Sequence, residues 1–477
     1  MATASTTFSS IIEGKVFYTE GKHPVYSHDN HEEIIHHFSY LTDIKKSVPQ
    51  IAAAAEQGFE EWSSFAYAEK VKIFDKAAIL LTERRDELIT SHKNIGGPTW
   101  FSHVNADESV SQLKEYTGLL SRPTGVVAQS IHTDLALTVR QPIGPVLAIS
   151  PWNAPVVLAS RAILAPLAAG CSVILKASEK APESAYLIVR TFIDAGVPPK
   201  ALQLVFIKPE DNATFISSIL HTGSIRKINF TGSTLVGKKI AEVASKYLVP
   251  YLMELGGKNV SIVEKDADLT KAAGSIIWSS WSHKGQICMS TDKVFVEDSI
   301  YDHFIAQLKE SAADIVKDPD YQISQRDITF KRKLVELVKD ALDKGANLVF
   351  GELNSDVNSS SFSPLILENV TSDMLLDSTE SFGPLFSVHK YANTNKLVKE
   401  LNRVDYGLKA SIWSHNVLEA LETAKKIHVG GVHINSPTIH DEPTLPHGGV
   451  KSSGTGRFNS TWGIDDFSIT KTITLSQ

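Results

Sequence analysis

Three residues of the chain have the types needed to make and break a bond to a carbonyl carbon. Cys288, one of two cysteines, lies in GQICMS (285–290), Glu254 follows the apolar run LVPYLM and precedes Gly256 and Gly257, and Asn153 stands between Pro151 and Pro155. A thiolate attacks such a carbon, an amide N–H holds the oxyanion that forms, and a carboxylate activates water against the resulting thioester. The set is equipped for acyl transfer or aldehyde oxidation.

Each residue has an ordinary explanation when taken alone. A free cysteine commonly packs as a small hydrophobe, and an asparagine between prolines suits a turn. Two features point the set elsewhere. Small residues around Cys288 let a ligand approach the backbone closely, and a carboxylate ending a buried strand is costly unless it is paired or used. Cys171, in AAGCSVILK, reads as a packed residue at a helix-to-strand turn.

The elements that must position these residues are α/β. Helical periodicity marks 43–62 and 67–92, and short apolar runs bounded by turns follow: PVLAIS (145–150), SVILKA (172–177), LQLVFI (202–207) and KINF (227–230). A second alternating series follows Cys288, from DKVFVED through the helix IYDHFIAQLKESAADI to LVFGEL and FSVHKYA. Strands alternating with helices imply parallel sheets with right-handed crossovers, hence two α/β lobes. Residues 124–141 alternate without a helix signal and read as a hairpin, while 354–363 read as a surface loop. The Ser/Thr-rich start, MATASTTFSSIIEGK, lacks the arginines of a transit peptide and reads as a frayed terminus.

At 477 residues the chain is long enough for two or three domains, and its net charge of −7 carries no basic footprint for nucleic acid. No run of about eighteen apolar residues suggests a membrane span. Two cysteines form no disulfide framework, the Asn-x-Ser/Thr triplets at Asn229 and Asn259 fall in segments expected to be buried, and no metal is called for. A reducing cytoplasm is the expected location.

A dinucleotide site is suggested by two strand ends. After KINF, Thr231, Gly232 and Ser233 open a helix containing Gly237, so backbone N–H groups and the positive helix end suit a pyrophosphate. An ordinary βα turn would use glycine in the same way. Upstream, SVILK ends in Lys176, followed by Ser178 and Glu179; a carboxylate there accepts from ribose hydroxyls and repels a 2′-phosphate, favouring NAD over NADP.

Taken together, PWNAP, LKASE (175–179), FTGSTLVG (230–237), ELGGK (254–258), GQIC, ESFGP (380–384) and PHGGVKSSGTGR (446–457) resemble the aldehyde dehydrogenase superfamily in content and order, from mid-chain nearly to the end. The resemblance implies a Rossmann-like NAD-binding domain (1–122 and 143–254), an α/β catalytic domain (255–450) and a small β oligomerisation arm (123–142 with 464–477) of a homodimer or homotetramer. It implies Cys288 as nucleophile, Glu254 as general base and Asn153 as oxyanion donor. It assigns Trp152, Lys176, Ser178, Glu179, Gly232, Ser233, Gly237, Leu255, Gly256, Glu380 and Phe382 to the cofactor. Family members that pass the acyl group to coenzyme A generally lack the ELGGK glutamate, so a free acid is the implied product. A non-catalytic role would tolerate loss of the thiol or base, and both are intact.

Departures from the common family pattern bear on the substrate. An aromatic after PWN is replaced by Ala154, an aromatic further along that helix by Arg161, PFGG by PHGG with His447, and an FNQ-like triplet by Ser282, His283 and Lys284. The expected aldehyde tunnel, with Trp100, Ile287, Met289 and His440, becomes more polar. Segments 157–179 and 456–467 look most like the branch that oxidises aromatic aldehydes such as salicylaldehyde, vanillin and benzaldehyde; an aliphatic or semialdehyde substrate, or coenzyme A acylation, is the alternative. Arg161 is offered as partner to a ring hydroxyl or carboxylate, or else as a solvated surface arginine. The family's lysine and glutamate proton-relay pair falls at Ala162 and Phe458, so protons must leave Glu254 by another path.

Overall fold

The computed structural model describes residues 6–28, 32–318, 321, 325–356 and 358–476. Five strands, Val146–Ile149, Val173–Lys176, Leu202–Val205, Lys227–Thr231 and Tyr251–Glu254, run parallel in the first sheet. The first three are buried at every residue, as continuous Val/Ile/Leu runs must be when helices cover both faces of a sheet. From the outer edge inward their spatial order is fifth, fourth, first, second, third. The direction of winding therefore reverses between the first and fourth strands, and ligands of such sheets bind outside the carboxyl ends at that reversal. Asn153 follows the first strand, Gly232 follows the fourth, and Glu254 ends the fifth, paired with Thr231.

Seven strands form the second sheet, in the order Asn347–Phe350, Leu365–Glu368, Leu385–Tyr391, Thr291–Glu297, Asn259–Val263, Lys409–Trp413, Gly431–Ile434. All are parallel except the first, an antiparallel edge. Gly125–Ala128, Leu135–Pro142 and Ser468–Leu475 make a separate antiparallel sheet, so the hairpin and the C-terminal tail pair as expected.

Three expectations need correction. The start of the chain is not frayed at Thr7–Ile12, a strand between the third parallel strand and Ile34–Ser39 in the first sheet; Ser9 and Ser10 are buried there, and the Ser10 hydroxyl accepts from the Phe206 N–H. The helical stretch 67–92 is two helices, Tyr67–Glu83 and Arg85–Lys93, broken at Arg84, whose side chain is anchored to Asp194 at 2.6 Å and Thr191 at 2.8 Å. Ser360 and Phe362, within the stretch read as a surface loop, are buried. Cys171 is a packed free thiol, following the left-handed Gly170 that ends the helix Pro155–Ala169. Asn229 and Asn259 are buried, and among the described residues no helix is long and apolar enough to cross a membrane.

Candidate active site

The Cys288 loop is shaped by what lies beneath it. His283, Lys284 and Gly285 all have positive φ, of 47°, 64° and 68°. A Cβ on Gly285 would strike the backbone of Gly383, so glycine is required where the nucleophile loop rests on ESFGP. From the strand Asn259–Val263, the Asn259 amide donates to the carbonyls of Cys288 (2.8 Å) and Ser290 (2.9 Å), while its oxygen accepts from the Lys409 N–H. Asn153, just before the helix Pro155–Ala169, donates to the Gln286 carbonyl at 2.9 Å. Loop, amide and strand end thus meet across the two sheets.

Two cavities, of about 440 and 360 Å³, share Cys288, Asn153 and Leu158. The larger one lies over the carboxyl edge of the first sheet and is lined by Trp152, Lys176, Ser178, Glu179, Gly232, Ser233, Leu255, Gly256, Glu380 and Phe382. A dinucleotide fits this lining. Ser233 caps the helix Thr234–Ser245 and leaves its positive end facing the cavity, and Trp152, Phe330 and Phe382 cluster at 5.3–6.2 Å on the other side. A Cβ on Gly256 would lie 2.5 Å from the Glu380 carboxylate, so the cradle closes on small residues. Burial raises the Glu380 carboxyl to about 7, although the Gly257 N–H donates to it at 2.9 Å. Gly237 does not line the cavity: a Cβ there would meet Leu255 at 2.6 Å, so it serves helix packing.

Trp100, Ala154, Arg161, Ile287, Met289, His440 and His447 all line the second cavity. Trp100 packs at 5.2 Å from Phe101 and 5.8 Å from Trp278, giving one aromatic wall. Glu108, Asp441 and Glu442 line it as well.

Arg161 is not a solvated surface arginine. Its side chain is 2 % exposed, with Nη2 donating to Glu254 Oε2 at 2.7 Å and Nη1 to Asp441 Oδ2 at 2.9 Å. Its guanidinium stacks 4.8 Å from the Phe458 ring, at the position where the relay glutamate is absent. Arg161 is the counter-ion of Glu254. Burial opposes ionisation of that carboxyl, but the adjacent His447 imidazole and the Arg161 guanidinium outweigh it and hold the group down at about 2. Burial and the Glu254 carboxylate push the Cys288 thiol well above its ordinary range.

Asp441, Asn259 and Lys333, whose ammonium donates to the Glu380 carbonyl at 2.7 Å, were not singled out as site residues from the sequence. Only Asn259 carried a signal, as a buried asparagine beside ELGGK.

Breaking a buried ion pair by removing one partner costs about 3–5 kcal/mol. Arg161→Leu is therefore expected to lower the midpoint of thermal unfolding markedly, and a change within a degree would refute the pairing. The sign with pH follows from the depressed carboxyl: with a folded value of about 2 and an unfolded one near about 4.3, Glu254 stabilises the wild type above pH ~4, and this is lost as pH falls towards 2. The deficit of the variant should shrink on acidification.

Comparison with known proteins shows the family. The family model described as "Aldehyde dehydrogenase family" matches residues 18–473. The chain is 36 % identical to a vanillin dehydrogenase of Pseudomonas fluorescens over 429 residues, covering 89 % of this chain and 88 % of that protein. It is 34 % identical to a salicylaldehyde dehydrogenase of Pseudomonas putida over 435 residues, covering 89 % of each. The crystal structure of a salicylaldehyde dehydrogenase from Pseudomonas putida G7, complexed with salicylaldehyde, superposes with a TM-score of 0.93 at 30 % identity, over 99 % of this chain and 98 % of that one. The chain belongs to the aldehyde dehydrogenase family, oxidoreductases that act on aldehydes with NAD or NADP.

Proposed function

We propose that the protein oxidises an aromatic aldehyde of the salicylaldehyde, benzaldehyde or vanillin type to the carboxylic acid, with NAD, through a thiohemiacetal and a thioester on Cys288. The observation that carries this reading is the position of Cys288 at the junction of the two cavities. The larger takes the dinucleotide and the smaller the aldehyde, so one sulfur can hold a carbonyl carbon against both. Bound NAD supplies the hydride acceptor. Cys288 Sγ attacks the carbonyl carbon, and Asn153 Nδ2, with the Cys288 backbone N–H, holds the oxyanion. After oxidation, Glu254 takes a proton from the water that attacks the thioester. It does so through Oε1, the oxygen that Arg161 leaves open.

Electrostatics favour a neutral aromatic substrate over a semialdehyde. Arg161 is already matched by Glu254 and Asp441, and Glu108 and Glu442 add further acidic groups. Two like unit charges about 6 Å apart repel by about 3 kcal/mol at an effective dielectric of about 20. A carboxylate-bearing aldehyde meets that penalty; a benzaldehyde meets Trp100, Trp278 and Met289 instead. NAD is preferred because Glu179 lies three residues beyond Lys176 at the strand end, where it accepts from ribose hydroxyls and repels a 2′-phosphate, with Lys176 Nζ 3.8 Å away tempering the effect.

The separate three-stranded sheet exposes Val126, Val127, Ile473 and Leu475. Exposed apolar strand faces of this kind favour pairing with another copy, which supports the oligomerisation arm of a homodimer or homotetramer. Two free cysteines suit a reducing cytoplasm.

Initial rates over a panel of aldehydes test the reading. Hydroxylated benzaldehydes should give the highest kcat/KM, NAD should outperform NADP, and coenzyme A should have no effect. Faster oxidation of acetaldehyde or succinic semialdehyde than of every benzaldehyde would favour the aliphatic alternative. An acyl-coenzyme A product would favour acylation.

A further inference from the structure

Resting on the reading that Glu254 takes a proton from water during thioester hydrolysis, we propose that His447 and Asp441 form the outlet by which that proton leaves. Arg161 holds Glu254 Oε2. The other oxygen, Oε1, and both ring nitrogens of His447 are buried without a hydrogen-bond partner. Buried polar atoms are seldom left so, and these three are arranged in series: His447 Nε2 is 3.7 Å from Glu254 Oε1, and Nδ1 is 3.5 Å from Asp441 Oδ1. Both gaps exceed a hydrogen bond by a few tenths of an ångström, so a small swing of the ring closes either one.

Asp441 is a suitable exit. Its side chain is 23 % exposed and lines the aldehyde cavity, while Asn459 Nδ2 donates to Oδ1 at 2.8 Å and Arg161 secures Oδ2. The other ionisable groups around His447 are poorly placed to replace it. Arg161 is permanently charged and spans the same two carboxylates. Lys409, on Lys409–Trp413, and His433, on Gly431–Ile434, face each other at 3.4 Å. His440 stacks on His433 and bonds Glu442 at 2.7 Å, beyond Asp441.

An O–H bond of water breaks as its oxygen bonds to the thioester carbon, and the proton goes to Glu254 Oε1. The C–S bond breaks with its electron pair returning to Cys288 Sγ. Oε1 passes the proton to His447 Nε2 while Nδ1 releases its own proton to Asp441 Oδ1, and from there it reaches water.

His447→Ala leaves a ring-sized space that imidazole can enter, and His447→Gln fills that space without a relay. Rapid mixing with saturating benzaldehyde and NAD should still give a first-turnover burst of NADH of up to about one equivalent in both, with steady-state turnover lower by about tenfold or more. Added imidazole should restore turnover in the alanine variant and not in the glutamine variant, and leave the wild type unchanged. Asp441→Asn, nearly isosteric, should keep the burst and lose turnover, a check independent of how the His447 variants fold. Wild-type turnover in any of the three, a burst lowered in parallel with turnover, or imidazole acting on both His447 variants or on neither would overturn the outlet. Absence of a covalent acyl group on Cys288 in the stalled His447 variants, read by mass spectrometry after acid quench, would instead overturn the thioester reading beneath it.

Discussion

Cys288→Ala is expected to lower kcat for aldehyde oxidation by on the order of 10⁴-fold or more while leaving dinucleotide binding intact. The loss is large because sulfur forms the bond through which both half-reactions pass. Binding survives because the larger cavity is built mainly by other elements: Lys176 and Glu179 at the end of one strand, Gly232 and Ser233 after another, and Glu380 and Phe382 from the second lobe. Quenching of protein fluorescence by the dinucleotide, measured beside turnover, separates the two. Turnover within tenfold of the wild type would remove Cys288 from the chemistry.

Glu254→Gln should give up to about one equivalent of NADH per site and then stop, because acylation needs the thiolate and hydrolysis needs the base. The amide can still accept from Arg161 at the position of Oε2, so this variant is expected to fold better than Arg161→Leu, in which a buried charge loses its partner. If the burst disappears too, Glu254 also takes the proton from Cys288. That outcome has a physical basis, since the carboxylate lies within hydrogen-bond reach of the thiol.

What could be read from the sequence was local. A continuous Val/Ile/Leu run ending in Gly-Ser or Glu marks a buried strand and the turn beyond it, and these strand ends carry Gly232, Ser233, Glu179 and Glu254. What could not be read was contact between distant segments. Arg161 finds its partners 93 and 280 residues away, and nothing near it announces either one. A usable signal was present all the same: PVVLASRAILAPLAA is apolar all round, so an arginine in it has no solvent face and must be paired. Thr7–Ile12 was obscured in the same way, because its partner strand at Ile11↔Leu204 is remote and its serines suggest a loose end. Gly237 misled through spacing alone; its task is to admit Leu255.

Because the two cavities share, among the described residues, only Cys288, Asn153 and Leu158, substrate range and cofactor choice can drift independently. Trp100, Met289 or Ile439 can change size and recut the aldehyde wall without disturbing the strand-end turns that hold the dinucleotide. Directed evolution toward bulkier or more polar aldehydes should therefore find most of its useful mutations on that wall, with the Gly285 and Gly383 contact as the position that tolerates none.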